Sequence, residues 1–350
     1  MVRRCSTIAL AQQTITVGAM RRACAVLVAG AALLGAAPRQ KVDTGPIIDM
    51  HLHASGAADQ GPPPVVICAP YDVFPERDPR WDARRYFAET FGKTNCRHPL
   101  VSASDDAALR RRSLGYLEQY NITAVTSGSA EMVETWRKSA PRRIIPALAF
   151  DASEWPTLAD LRRLHREGRL AVLGEIGTQY NGLAPDDPKL EPYFALAEEL
   201  DIPVAIHMGP GPPGVPYLGA RYRMRLSDPL LLEDVLVRHP RLRLYVMHAG
   251  WPMADRMIAL LYAHPQVYVD TAVIDYTQPR SEFWSYLRRL VEAGYGKRVM
   301  FGSDQMVWPD AIPAAVDAIR SAPFLTPAQK RDILHDNAAR FLRLGEGQRS

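Results

Sequence analysis

One feature constrains this chain more than any other: a repeat that begins at residue 46. A short apolar run, a polar loop and an amphipathic stretch recur in that order. The apolar runs fall at residues 46–53, 122–127, 144–150, 170–176, 203–208, 242–248, 267–271 and 299–304. Between them lie stretches with helical periodicity, among them residues 158–167, 191–200, 229–239, 253–263 and 283–293. Strands alternating with helices need crossover connections, and these make neighbouring strands parallel. Eight such units in succession predict a closed (β/α)8 TIM barrel formed by residues 38–350 as one domain. The alternative is an open doubly wound sheet, but no Gly-rich phosphate loop follows the first strand, where such folds bind nucleotides.

The repeat is interrupted twice. Residues 54–121 separate the first run from the second and include the Pro-rich segment Gly61, Pro62, Pro63, Pro64 and the aromatic, charged stretch 71–91. Insertions in βα loops stand over the active-site face of a barrel, so this one is expected to be a lid or specificity element. After the fifth run, the Gly/Pro segment 209–214 leads to Arg221, Tyr222 and Arg223, and is expected to be a shaped loop. Near the end, Thr326 followed by Pro327 and Gln329 is a helix start. The helix it opens offers Ile333, Leu334, Phe341 and Leu342 as an apolar face and is expected on the barrel exterior.

At the other end of the chain, Arg21 and Arg22 precede a small, apolar run at residues 23–37, and no acidic residue occurs before Asp43. The run is shorter than the roughly 20 residues that span a bilayer. Gly35, Ala36 and Ala37 suit a signal peptidase. Residues 1–37 therefore read as an export signal, with a periplasmic or secreted mature chain and no stable membrane anchor; an uncleaved anchor is the alternative, and Met20 is an alternative start. Cys5 and Cys24 would leave with the signal, so Cys68 and Cys96 remain, either paired in an oxidising compartment or as free buried thiols. The 47% hydrophobic and 23% charged content excludes disorder as the main state. The net charge of +4 is spread along the chain, for example over Arg110, Arg111 and Arg112, and lacks the clustered stripe that nucleic acid requires.

The chemistry is concentrated at the ends of the apolar runs. His51 and His53 are two apart on the first strand, so both imidazoles point to one side. Neutral imidazole is a standard ligand for zinc and similar divalent ions. Glu175 closes the fourth run, His207 the fifth, His248 the sixth and Asp304 the eighth. Barrel enzymes place their catalytic groups at these C-terminal strand ends. Burying so many ionisable groups is costly without a compensating charge, and a bound cation supplies one. His165, His239, His264 and His335 lie on helix patterns and are expected at the surface, while His98 in the insertion is left open.

In that order on strands one, four, five, six and eight, these residues resemble the amidohydrolase superfamily. The details are most similar to its amidohydrolase-related (amidohydrolase 2) branch, which also contains decarboxylases of the aminocarboxymuconate-semialdehyde type. The resemblance covers residues 46–343, including the run from Asp336 to Phe341. It implies a distorted barrel with one or two divalent metal ions, zinc first, manganese or iron as alternatives. By resemblance, His51, His53 and Asp304 hold one metal, His207 and His248 a second, and Glu175 bridges them. Glu175 departs from the carboxylated lysine of many members but keeps a negative oxygen ligand, as in the TatD-type deoxyribonuclease relatives.

A metal of this kind lowers the pKa of bound water toward about 7 and polarises the bond under attack. The implied activity is hydrolysis of a C–N or C–O bond, in an amide, lactam, lactone or ester, with Asp304 as catalytic base. The alternative is metal-dependent non-oxidative decarboxylation. Phosphodiester hydrolysis would need a basic groove that the sequence does not show, and a mere binding protein would need no cation with an open position. The partner is a small-molecule substrate, and a homo-oligomer is left open. Arg221, Arg223 and Trp251 are candidate substrate contacts, the arginines suiting a carboxylate, and Tyr180, Tyr222, Tyr276 and Trp308 also follow strands.

Overall fold

The computed structural model describes residues 45–92 and 96–344; the expected export signal at residues 1–37 lies outside the described residues. Ten strands form among the described residues: β1 (Ile47–His53), β2 (Val66–Cys68), β3 (Pro99–Val101), β4 (Ile122–Ser127), β5 (Ile144–Phe150), β6 (Val172–Ile176), β7 (Val204–His207), β8 (Leu244–Met247), β9 (Tyr268–Asp270) and β10 (Val299–Met300). Eight of them pair side by side in the order β1, β4, β5, β6, β7, β8, β9, β10, and each of these pairings is parallel. Helices such as Asp106–Gln119, Ala130–Ser139 and Leu158–Arg166 connect them. Asp105, Ser129 and Thr157 start these three, each side chain accepting a backbone N–H three residues on.

The seam between β10 and β1 is drawn together by Met50 N–H donating to the Phe301 carbonyl at 2.9 Å and Asp304 N–H donating to the His51 carbonyl at 2.6 Å. Buried Asp49 adds to it, accepting from Ser303 N–H at 3.0 Å and Ser303 Oγ at 2.5 Å. The result is the nearly closed barrel that the repeat predicts.

Apolar residues fill two layers. One lies between sheet and helices, and the other occupies the barrel interior, where Ile48, Met50, Val125, Val172, Ala205 and Met247 meet. Strict alternation along β1 would set Ile48, Met50 and Leu52 on one face. Instead Leu52 packs in the outer layer, because the register against β4 shifts between Asp49 and Leu52. That shift sends both Met50 and the pair His51 and His53 inward.

The C-terminal segment corrects one expectation. It runs as helix Pro327–Arg331, a wider turn at Asp332–Asp336 and helix Asn337–Phe341, with the Thr326 and Gln329 capping box in place. Ile333 and Leu334 do pack in the outer layer. Phe341, however, joins the interior cluster, its ring 5.6 Å from that of Tyr245 and 4.8 Å from that of Tyr268, and closes the N-terminal end of the barrel. Periodicity shows that a helix has an apolar face, not which neighbour covers it.

The insertion contributes an antiparallel pair, β2 with β3, before ending in the barrel helix Asp106–Gln119. Cys68 and Cys96 form a disulfide, deciding between the two readings of these cysteines. The insertion lies across the C-terminal mouth. Tyr71 N–H donates to Thr277 O at 2.9 Å, Trp308 Nε1 to Val65 O at 3.0 Å and Tyr86 hydroxyl to Pro213 O at 3.0 Å, tying it to the loops after β9, β10 and β7.

The surface expectation for four histidines is also corrected. His239 and His264 are buried, at 6% and 9% exposure, and His165 and His335 are half-buried. His239 and His264 each follow the last residue of a helix, where the chain turns toward the next strand and tucks the side chain under. His239 is held by Glu191 at 2.8 Å and Glu198 at 3.3 Å. His98 is exposed. Among the described residues no helix is long and apolar enough to cross a membrane.

Candidate metal centre

All six predicted ligands meet at the C-terminal end of the barrel. Two glycines make room for them. Gly174, at φ +153°, lies so close to β7 that an added Cβ would sit 2.3 Å from Ala205 Cβ, and at Gly209 it would sit 2.3 Å from His248 Cβ.

His51 Nε2 lies 3.1 Å from His53 Nε2, and Asp304 Oδ1 lies 3.0 Å from His53 Nε2 and 3.6 Å from His51 Nε2. These three residues form one donor group. His207 Nδ1 lies 2.7 Å from Glu175 Oε1 and 3.1 Å from His248 Nε2, and these three form a second. Glu175 reaches both, since its Oε2 is 3.4 Å from His51 Nε2 and 3.3 Å from His53 Nε2. His51 Nδ1 faces Asp270 at 3.2 Å and His248 Nδ1 faces the Ala272 carbonyl at 2.9 Å, so a proton on each Nδ1 leaves both Nε2 lone pairs turned into the cluster; this donor set fits a divalent metal.

The electrostatics of the cluster agree. Burial raises the Glu175 and Asp304 carboxyls, but the adjoining imidazoles outweigh it, taking Glu175 well below its ordinary range and Asp304 to about 2. Burial lowers His53, yet the hydrogen bonds it donates to Asp304 and Glu175 raise it to about 9. Burial and neighbouring His207 lower His248 to about 4, which keeps it neutral. Without a cation, the cluster holds together by protonating some of its own histidines.

Asp270, at the end of β9, escaped the sequence reading. Its Oδ2 is 3.2 Å from His51 Nδ1, the ring nitrogen facing away from the ligand cluster, and its Oδ1 accepts from His248 N–H at 2.8 Å. A carboxylate behind a ligating imidazole fixes its tautomer and orientation. The signal was present: an acidic residue near the end of an apolar run, as with Glu175 in the run 170–176. Asp49 holds the same residue through its backbone, accepting the His51 main-chain N–H at 2.9 Å.

The candidate substrate contacts are scattered. Arg221 and Arg223 are exposed; Arg221 N–H donates to Tyr180 O at 3.1 Å and the Arg223 guanidinium to Tyr222 O at 2.7 Å. The half-buried Trp251 turns its indole N–H to Glu282 at 3.2 Å. Tyr222 is buried, its hydroxyl bonded to Gly209 O and to Ser227 Oγ, and Tyr276 hydroxyl donates to Asp304 O at 3.1 Å. Tyr180 stands with its ring centroid 5.0 Å from that of His207. Burial, then the charge of Glu175, holds its phenol well above the ordinary range.

Solved structures confirm the architecture. An uncharacterised TIM-barrel protein from Bordetella bronchiseptica superposes with a TM-score of 0.54 at 19% identity, over 70% of this chain and 86% of that one. A structure described as amidohydrolase II gives 0.52 at 16% identity, over 85% and 99%. A probable 2-pyrone-4,6-dicarboxylic acid hydrolase from Acinetobacter baumannii, solved with citric acid bound, gives 0.51 at 13% identity, over 86% and 100%. No curated protein matches the chain. The family model described as amidohydrolase matches residues 48–344, taking in every strand of the barrel but the first residue of β1 and all six clustered ligands. The chain therefore belongs to the amidohydrolase family.

Proposed function

We propose that this protein is a metal-dependent hydrolase that cleaves a C–N or C–O bond of a small molecule, such as an amide, lactam, lactone or ester. The observation that carries the reading is the position of Glu175, whose two oxygens face the two donor groups separately, Oε2 toward His51 and His53 and Oε1 toward His207. A carboxylate so placed suits a two-metal site. Bound divalent ions, zinc first, would activate water and polarise the scissile carbonyl.

The chain's own residues do the rest. The Asp304 carboxylate, held ionised, takes the proton that water loses and returns it to the departing amine or alcohol. Asp270 and Asp49 fix His51 through its ring and its main chain. The insertion spans the mouth from the loop after β7 to that after β10 and limits access of water. Arg221 and Arg223, exposed on the loop after β7, are available to a substrate carboxylate. Export to an oxidising compartment belongs to the proposal, supported by residues 1–37 and by the Cys68 to Cys96 bridge.

Elemental analysis of wild type and Glu175→Ala tests the reading. Two-metal hydrolysis expects about two equivalents in wild type and about one in the variant. A single equivalent, unchanged by the substitution, would favour a mononuclear hydrolase or a decarboxylase. No metal after reconstitution would overturn the proposal.

A further inference from the structure

Several tyrosines crowd the barrel mouth, and their hydroxyls divide into two kinds. Tyr86 donates to Pro213 O, Tyr222 to Gly209 O and Tyr276 to Asp304 O, so each is committed to holding a loop. The half-buried Tyr180 is held equally firmly by other means: its backbone N–H donates to Gly177 O at 3.1 Å and its carbonyl accepts from Arg221 N–H at 3.1 Å. Its ring packs against the His207 ring at 5.0 Å and the Tyr222 ring at 5.3 Å. Its hydroxyl has no hydrogen-bond partner among the described residues. A phenol rigidly placed against a candidate metal ligand, with its O–H uncommitted, is a donor available to whatever binds at that ligand.

We propose that the Tyr180 hydroxyl is a catalytic hydrogen-bond donor to the carbonyl oxygen of the substrate, an assignment that rests on the hydrolase reading above. Water adds to the carbonyl carbon and its proton passes to Asp304. The C=O π pair moves onto the oxygen, where Tyr180 donates its hydrogen bond. The C=O bond then re-forms as the C–N or C–O bond breaks, and Asp304 returns the proton to the leaving group. The sum is one water consumed, with one carboxylic acid and one amine or alcohol released. A donor preorganised at the point where charge develops stabilises the transition state more than the ground state.

The test compares zinc-reconstituted wild type with Tyr180→Phe, and with Tyr193→Phe, whose hydroxyl is committed to Pro156 O and whose ring packs in the outer layer. Two readouts are taken, hydrolysis of p-nitrophenyl acetate and the affinity for acetohydroxamate, which offers the site an oxyanion without turnover. For Tyr180→Phe the expected results are a fall in kcat of roughly 10²–10³-fold with KM little changed, acetohydroxamate binding about tenfold weaker, and unaltered zinc content and melting temperature. Tyr193→Phe should match wild type in all of these. Unchanged acetohydroxamate affinity in Tyr180→Phe would overturn the assignment, as would wild type that fails to bind acetohydroxamate. Zinc-dependent acetohydroxamate binding that weakens in Tyr180→Phe, with no hydrolysis of ester, lactone or amide probes by wild type, would sink the hydrolase reading while leaving Tyr180 as an oxyanion donor.

Discussion

At the N-terminal end of the barrel, Phe341 packs on Tyr245 and Tyr268, and the Tyr245 hydroxyl donates to Met50 O at 2.8 Å. At the C-terminal end of the same strands, four imidazoles and two carboxylates gather, each within hydrogen-bond range of at least one other, and buried His207 Nε2 has no hydrogen-bond partner among the described residues. One end is complete as it stands. The other presents a donor set with room for an added group, in keeping with the way barrel enzymes separate folding from chemistry.

Removing the metal is the sharpest way to break this contrast. Chelation is expected to abolish hydrolysis of p-nitrophenyl acetate while circular dichroism still reports a folded barrel, and zinc should restore activity. Unfolding on chelation would mean that the mouth also carries the fold.

The opposite end predicts the opposite outcome. Phe341→Ala should cost about 3–5 kcal/mol of stability, seen in urea titration, with the metal content of the surviving folded protein unchanged. Loss of metal in parallel with stability would show that the two ends are coupled. Between these extremes lies Asp270→Asn, which keeps the size of the side chain but weakens its hold on His51. Metal affinity, measured by chelator competition, should fall about 10–100-fold with little change in melting temperature.

The smallest effect is a pH dependence confined to the metal-free protein. His53 has a folded-state pKa of about 9 against an ordinary 6.5. A raised value means stability that is fully present below pH 6.5 and lost as pH rises through about 9. His248, lowered to about 4, contributes nothing in that window because it is already neutral. The melting temperature of stripped protein should therefore decline between pH 6.5 and 9, whereas metal-loaded protein should not follow it, since a cation needs neutral imidazoles. Identical profiles for the two forms would argue that His53 is not a ligand.

How much of this could be read in advance depended on how local each signal was. The eight strands follow from apolar runs, and His51, His53, Glu175, His207, His248 and Asp304 stand at the C-terminal ends of five of those runs, so their shared end of the barrel follows from parallel pairing alone. Asp270 carries the same local signal, an acidic residue near the end of an apolar run, and its place behind His51 depends on how β9 lies in the barrel. The shift in β1 that turns His51 and His53 inward alongside Met50 depends on pairing with β4, a partner some seventy residues away, and no local periodicity encodes it. Similarly, Phe341 and Leu334 read alike as apolar helix positions, and only the open end of the barrel distinguishes a plug from an exterior contact. The uncommitted hydroxyl of Tyr180 is likewise a property of its surroundings, visible only beside Tyr222 and Tyr276, whose hydroxyls have partners. The strand repeat and the donor chemistry are legible in the amino-acid order, because both are set by residue type and spacing along one chain. Tertiary structure decided register, burial and hydrogen-bond partnership, because those depend on which distant segments come to lie against each other.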